Sequence, residues 1–225
     1  MDTVLLQGIV GSTAYGLNHA GSDVDRLGVY AAPAVAFHGI ELPIDRAATR
    51  VTTDPDSTLH EARKYCVLAL SGNPTAMELM WLPDDLYEVR TPLGDALIGI
   101  RSSFLCAPRV RDAYLGYAAQ QLTRLVNKDT GAADRAKVAK HARHLARLAH
   151  QGRDLYASGT LTVRLADPRW YRDFGERVAA DPEQARALLA EAEAFFGATR
   201  SPLPEHPDQV TVERWLLDVR AALPA

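Results

Sequence analysis

Cysteine is nearly absent from this chain: 225 residues include two, Cys66 and Cys106, with no C-x-x-C pair. That excludes a disulfide framework and a zinc knuckle. Lysine is scarce as well. Only Lys64, Lys128, Lys137 and Lys140 stand among 25 basic residues, and the formal charge is -3. A general polyanion binder would be strongly basic, so any contact with nucleic acid has to come from a local patch. Long apolar runs are also missing. Met1-Asp2-Thr3 carries no basic n-region, and the run Val4 to Val10 is interrupted by Gln7. It is too short for a signal peptide or a membrane span, so a soluble, cytoplasmic protein with no membrane partner is expected. What is present is ordinary for a globular chain, 47% hydrophobic and 24% charged residues. Such a composition excludes wholesale disorder and suits one large domain or two small ones.

Periodicity divides the chain. Thr3 to Val10 is aliphatic and β-branched and reads as a buried strand that stops at Gly11-Ser12. A tight turn and short helix follow, then a second strand from Asp23 to Ala32, with weaker strand candidates at 36–40 and 48–53. From Leu59 the period becomes helical: Ala62, Tyr65, Cys66, Ala69 and Leu70 recur at three- and four-residue steps. Pro74, Pro92 and Pro108 suit the first turns of further helices, and Gly159 ends a long one that starts at Asp134. The expected fold is α+β, a small mixed sheet with helices over 1–106 and a helical domain over 107–225.

The most informative stretch pairs Gly11-Ser12 with Gly21-Ser22-Asp23-Val24-Asp25, ten residues separating Ser12 from Asp23. On a strand, residues two apart share a face, so Asp23 and Asp25 project together while Val24 turns to the core. Two carboxylates held that close repel, and a divalent cation removes the repulsion; hard oxygen donors suit magnesium or manganese. Gly11 and Ser12, leaving a strand at the start of a helix, can offer backbone N–H groups, a hydroxyl and the helix dipole to phosphate oxygens. Glycine allows the close approach.

In this order the motif resembles that of the DNA polymerase β-like nucleotidyltransferase superfamily. The segments GSTAYGLNHAGSDVDRLGVY, PDSTLHEARKYCVLALSGNPTAMELMWLP and KHARHLARL further resemble the predicted nucleotidyltransferases of the RNA-repair-associated polymerase-β family. That resemblance implies a third carboxylate on an adjacent strand. Asp54 and Asp56 are the candidates, and the family register favours Asp56. It also implies a two-metal mechanism in which Asp23, Asp25 and Asp56 hold magnesium or manganese. A nucleoside triphosphate such as ATP would give up its nucleoside monophosphate to a hydroxyl, releasing pyrophosphate. An RNA end is one candidate acceptor; a protein side chain and a small molecule are others. A nucleotide-binding sensor without turnover is the alternative from a different class.

Lys140, Arg143 and Arg147 step by three and four along one helix, beside His144. The stripe reads either as a solvated face or as a contact for triphosphate or RNA. The family's Lys-His helix adds Lys140, His141 and His144 to the nucleotide-contact candidates. Lys64 is another, next to Arg63 on an amphipathic helix whose cations ordinarily snorkel. Arg26 suits a structural ion pair equally well. Glu78 reads as part of a structural network, Cys66 as packing, and Trp81, Trp170 and Trp215 as core.

Overall fold

The computed structural model describes residues 2–126 and 132–223. They form an α+β protein that divides into two compact units, Met1–Leu105 with Pro207–Ala225, and Cys106–His206. The first unit runs β1 (Thr3–Ile9), α1 (Gly11–Tyr15), β2 (Arg26–Ala31), β3 (Thr49–Thr53), β4 (Asp56–Glu61), α2 (Ala62–Leu70), α3 (Pro74–Leu79), β5 (Tyr87–Arg90) and α4 (Pro92–Gly99). The sheet order is β3-β4-β2-β1-β5. β2 and β4 are parallel, with Arg26 opposite Ser57, and the other neighbours are antiparallel.

Two local expectations change. The strand candidate at 36–40 is a 3-10 turn, Ala34–His38, with no sheet neighbour among the described residues. Residues 56–61, which include the expected start of a helix at Leu59, are instead β4, and α2 begins at Ala62. β4 is hydrogen-bonded on both sides, and ladder pairing outweighs the helical period that starts just after it. Glu61 marks the switch by accepting from the Arg63 N–H as the helix cap.

The C-terminal helix α9 (Gln209–Ala222) packs in the first unit, although the sequence pattern groups it with the helical stretch 107–225. Trp215 is buried and its Nε1–H donates to the Leu93 carbonyl. Arg220 Nη1 donates to Glu61 Oε1 at 2.8 Å, and its guanidinium lies 4.1 Å from the centre of the Phe37 ring. Glu61 is fully buried, so losing Arg220 would strand a charge away from water. The same carboxylate, after burial itself, pushes the Cys66 thiol up to about 12, which suits packing and not nucleophilic chemistry.

The second unit is a helical bundle of α5 (Ala107–Val126), α6 (Ala132–Ser158), α7 (Pro168–Ala180) and α8 (Glu183–Ala198). α6 packs against the other three. Its small residues allow this: Ala139, Ala142, Ala146 and Ala149 are buried, and a Cβ on Gly152 would lie 2.6 Å from that of Tyr114. No described helix is long and apolar enough to cross a membrane.

Candidate active site

The site is built where β1 ends. The Val10 N–H donates to the Asp25 carbonyl at 2.9 Å, extending the β1–β2 ladder by one residue. The chain then turns through Gly11, whose φ of 68° lies in the left-handed region. A Cβ at Gly11 would stand 2.2 Å from Asp25 Oδ2, so the carboxylate is seated directly on the glycine. Two independent requirements therefore fall on one residue, a backbone conformation and an empty space.

α1 has only five residues, and Val10 supplies no side-chain cap. The phosphate affinity expected from a helix dipole is correspondingly small, and the Ser12 hydroxyl and local backbone N–H groups are the polar groups that remain. What fixes α1 is its far end. The Tyr15 hydroxyl donates to Glu78 Oε2 at 2.6 Å, both residues buried, across 63 positions of sequence. Glu78 lies on α3, which Asn73 caps by accepting from the Ala76 N–H and which Pro74 opens. The Asn-Pro-x-x-x-Glu segment is thus the clamp on the Gly-Ser turn.

Asp23 is exposed and Asp25 half-buried, both ahead of the first ladder residue of β2. Val24, expected in the core, is 39% exposed. Arg26 does form an ion pair, its Nε donating to both Glu88 oxygens on β5 at 3.0 and 2.8 Å. Asp56 is the exposed first residue of β4, paired with Thr53; Asp54 sits in the preceding turn, off the strand. Because Arg26 pairs with Ser57, Asp25 and Asp56 each immediately precede that pair on neighbouring parallel strands. Such strands lie about 4.8 Å apart. The backbone register thus juxtaposes the two positions. The side chains are not yet gathered: among the described residues, no group of three His, Cys, Asp or Glu side chains is close enough to hold a metal ion.

Lys64 lies on α2 and, with His60 of β4, lines a cleft of about 540 Å³ on the first unit. Lys140 and His144 belong to α6 in the second unit, and their surroundings differ. Lys140 is exposed. Arg147, in the same stripe, is 1% exposed and donates to Gln151 Oε1 at 2.7 Å, so the stripe is not a solvated basic face. Arg143 packs against Gly175 of α7. Burial, followed by the charge of Arg147, lowers His144 to about 3, and its Nε2 lies 3.3 Å from Arg147 Nη2, where a neutral ring accepts. His141 Nδ1 contacts Gln121 Oε1 at 2.9 Å. Periodicity places these residues on one helix; it carries no information about what packs on that helix.

The strand, Gly-Ser turn, short helix and D-x-D lead-in to a mixed sheet define a polymerase β-like protein. The family model described as the RNA repair pathway DNA polymerase beta family matches residues 2–171, and the chain belongs to that family. No curated protein matches the chain.

Proposed function

We propose that this protein is a metal-dependent nucleotidyltransferase that moves a nucleoside monophosphate from a nucleoside triphosphate to a hydroxyl acceptor, with an RNA end as the leading candidate. The single observation that carries the reading is Asp25 seated on the Cα of Gly11 while its strand runs in parallel register with Asp56. A hydroxyl acceptor, a triphosphate and two or three carboxylates are otherwise a poor electrostatic match. Divalent magnesium or manganese would reconcile them, and carboxylate oxygens are the donors these ions prefer.

The residues fit that requirement in kind. Asp23 and Asp25 offer exposed or half-exposed oxygen donors two residues apart, and Asp56 stands at the neighbouring register position. Asp23, Asp25 and Asp56 would hold the ions, which when bound supply charge neutralisation of the triphosphate and a lowered pKa for the acceptor hydroxyl. Gly11 leaves room for the Asp25 carboxylate and not for a phosphate, and Ser12 would donate its hydroxyl to a phosphate oxygen. Tyr15 and Glu78 hold the turn against α3 while charge develops, so the donors need not reorganise. The acceptor oxygen forms its bond to the α-phosphorus as the bond to pyrophosphate breaks, and the acceptor proton passes to a base, for which Asp56 is the candidate. The buried thiols of Cys66 and Cys106 suit a reducing, cytoplasmic setting.

The test is incubation with each labelled nucleoside triphosphate, magnesium, and total cellular RNA and protein, beside an Asp23→Ala/Asp25→Ala variant. Label on RNA that the variant fails to transfer supports the reading. Label on protein redirects the acceptor, and absence of both transfer and nucleotide binding overturns it.

A further inference from the structure

The first unit holds a contact that none of the proposed chemistry uses and that grips the aspartate segment from behind. Arg26 follows Asp25, so by strand alternation its side chain leaves the opposite face of the chain. Arg26 is paired with Ile9, and its side chain crosses β1 to reach β5, the next strand in the sheet. There Nε donates to both Glu88 oxygens, at 3.0 and 2.8 Å. Nη1 of the same guanidinium turns back and donates to the Val24 carbonyl at 3.3 Å, between the two aspartates. One planar, rigid group thus joins the D-x-D lead-in to β5.

β5 is a firm anchor. Arg90 pairs with Asp84 at 2.8 Å and with Asp95 at 2.7 Å, and the Tyr87 hydroxyl donates to the Leu79 carbonyl at 2.8 Å. Leu79 ends α3, whose Glu78 holds the Gly-Ser turn through Tyr15. The turn and the aspartate segment are therefore tethered to the same helix by separate routes. Arg26 and Glu88 are 23% and 33% exposed, and ion pairs so placed add little to stability. A lone cation next to Asp25 would oppose the binding of a divalent ion. Glu88 offsets that charge, which leaves geometry as the contribution of the pair.

We propose that Arg26 and Glu88 are positioning residues that fix the backbone between Asp23 and Asp25, so that both carboxylates are set for a divalent cation before it arrives. Both act through the Val24 backbone and not as ligands. The proposal rests on the metal-dependent reading for the ion, whereas the clamp is testable without it.

Wild type, Arg26→Met, Glu88→Gln and the double variant are compared in two measurements. In the metal-free protein, NMR follows hydrogen exchange of the Val10 amide, which is bonded to the Asp25 carbonyl. Both single variants are expected to speed that exchange severalfold with the thermal midpoint nearly unchanged. Manganese titration then reads the carboxylates. Each single variant weakens manganese by about tenfold, and the double variant by about the same, because the two residues act as one device. A pure charge effect has another sign pattern: Arg26→Met would tighten manganese and Glu88→Gln would weaken it. That pattern overturns the proposal, as do losses that multiply to about a hundredfold in the double variant. A Val10 amide whose exchange neither variant changes overturns the clamp. Manganese that wild type fails to bind, or that Asp23→Ala/Asp25→Ala binds as well, overturns the metal site beneath the proposal. The metal-free exchange distinguishes that failure from failure of the clamp.

Discussion

The two units place their candidate site residues in different surroundings. In the first, carboxylates stand exposed at the end of a sheet: Asp23 and Asp56 face solvent, and Asp25 rests on a glycine. In the second, part of the stripe that looked like a basic surface is drawn inward, with Arg147 buried on Gln151 and His144 held neutral, while Lys140 stays exposed. Carboxylate oxygens at a sheet end are donors that suit a divalent cation. Buried cations with hydrogen-bond partners are part of the architecture. A run of arginines on a helix is therefore weaker evidence of function than two aspartates on a strand lead-in.

The comparison can be broken most sharply by exchanging its terms. Asp25→Ala is expected to cut nucleotidyl transfer by about a thousandfold while leaving the thermal midpoint nearly unchanged; a large loss of stability would make Asp25 structural. Arg147→Ala should do the reverse, destabilising the protein by about 3 kcal/mol in denaturant melts, since it opens a cavity and strands the Gln151 acceptor. Gly11→Ala is expected to cost about 2 kcal/mol, because it combines a disfavoured φ with a clash that displaces Asp25. Its transfer rate should fall with magnesium affinity, a readout that a purely backbone effect would spare.

The pH dependence gives a smaller effect. His144 is neutral in the folded protein down to about pH 3, whereas the unfolded chain takes up its proton near pH 6.5. The unfolded state then binds more protons between those values, so its contribution to stability is full above about pH 6.5 and declines as pH falls through the window. The slope is about 1.4 kcal/mol per pH unit from this group. His144→Gln should flatten that part of the stability curve, with His60 and His150, both lowered first by burial, supplying what remains. Smallest of all, Lys140→Ala, exposed on α6, should change stability by less than about 0.5 kcal/mol.

Sequence alone determined the α+β class, the end of β1 at a Gly-Ser turn, the pair of aspartates ten residues on, and the family. These are local signals: β-branched runs, a glycine at a turn, and carboxylates at fixed spacing stay legible without knowledge of their neighbours. Tertiary structure decided the rest. β4 was hidden because a helical period starts right after it, and only pairing with β2 and β3 makes it a strand. The return of α9 to the first unit depends on Arg220 meeting Glu61 across 159 residues, a contact that no window of sequence contains. Val24 was misjudged for the opposite reason: alternation says which way a side chain points, whereas only the fold says whether anything is there to cover it. The same holds for the α6 stripe, where periodicity aligned the cations and packing buried one of them.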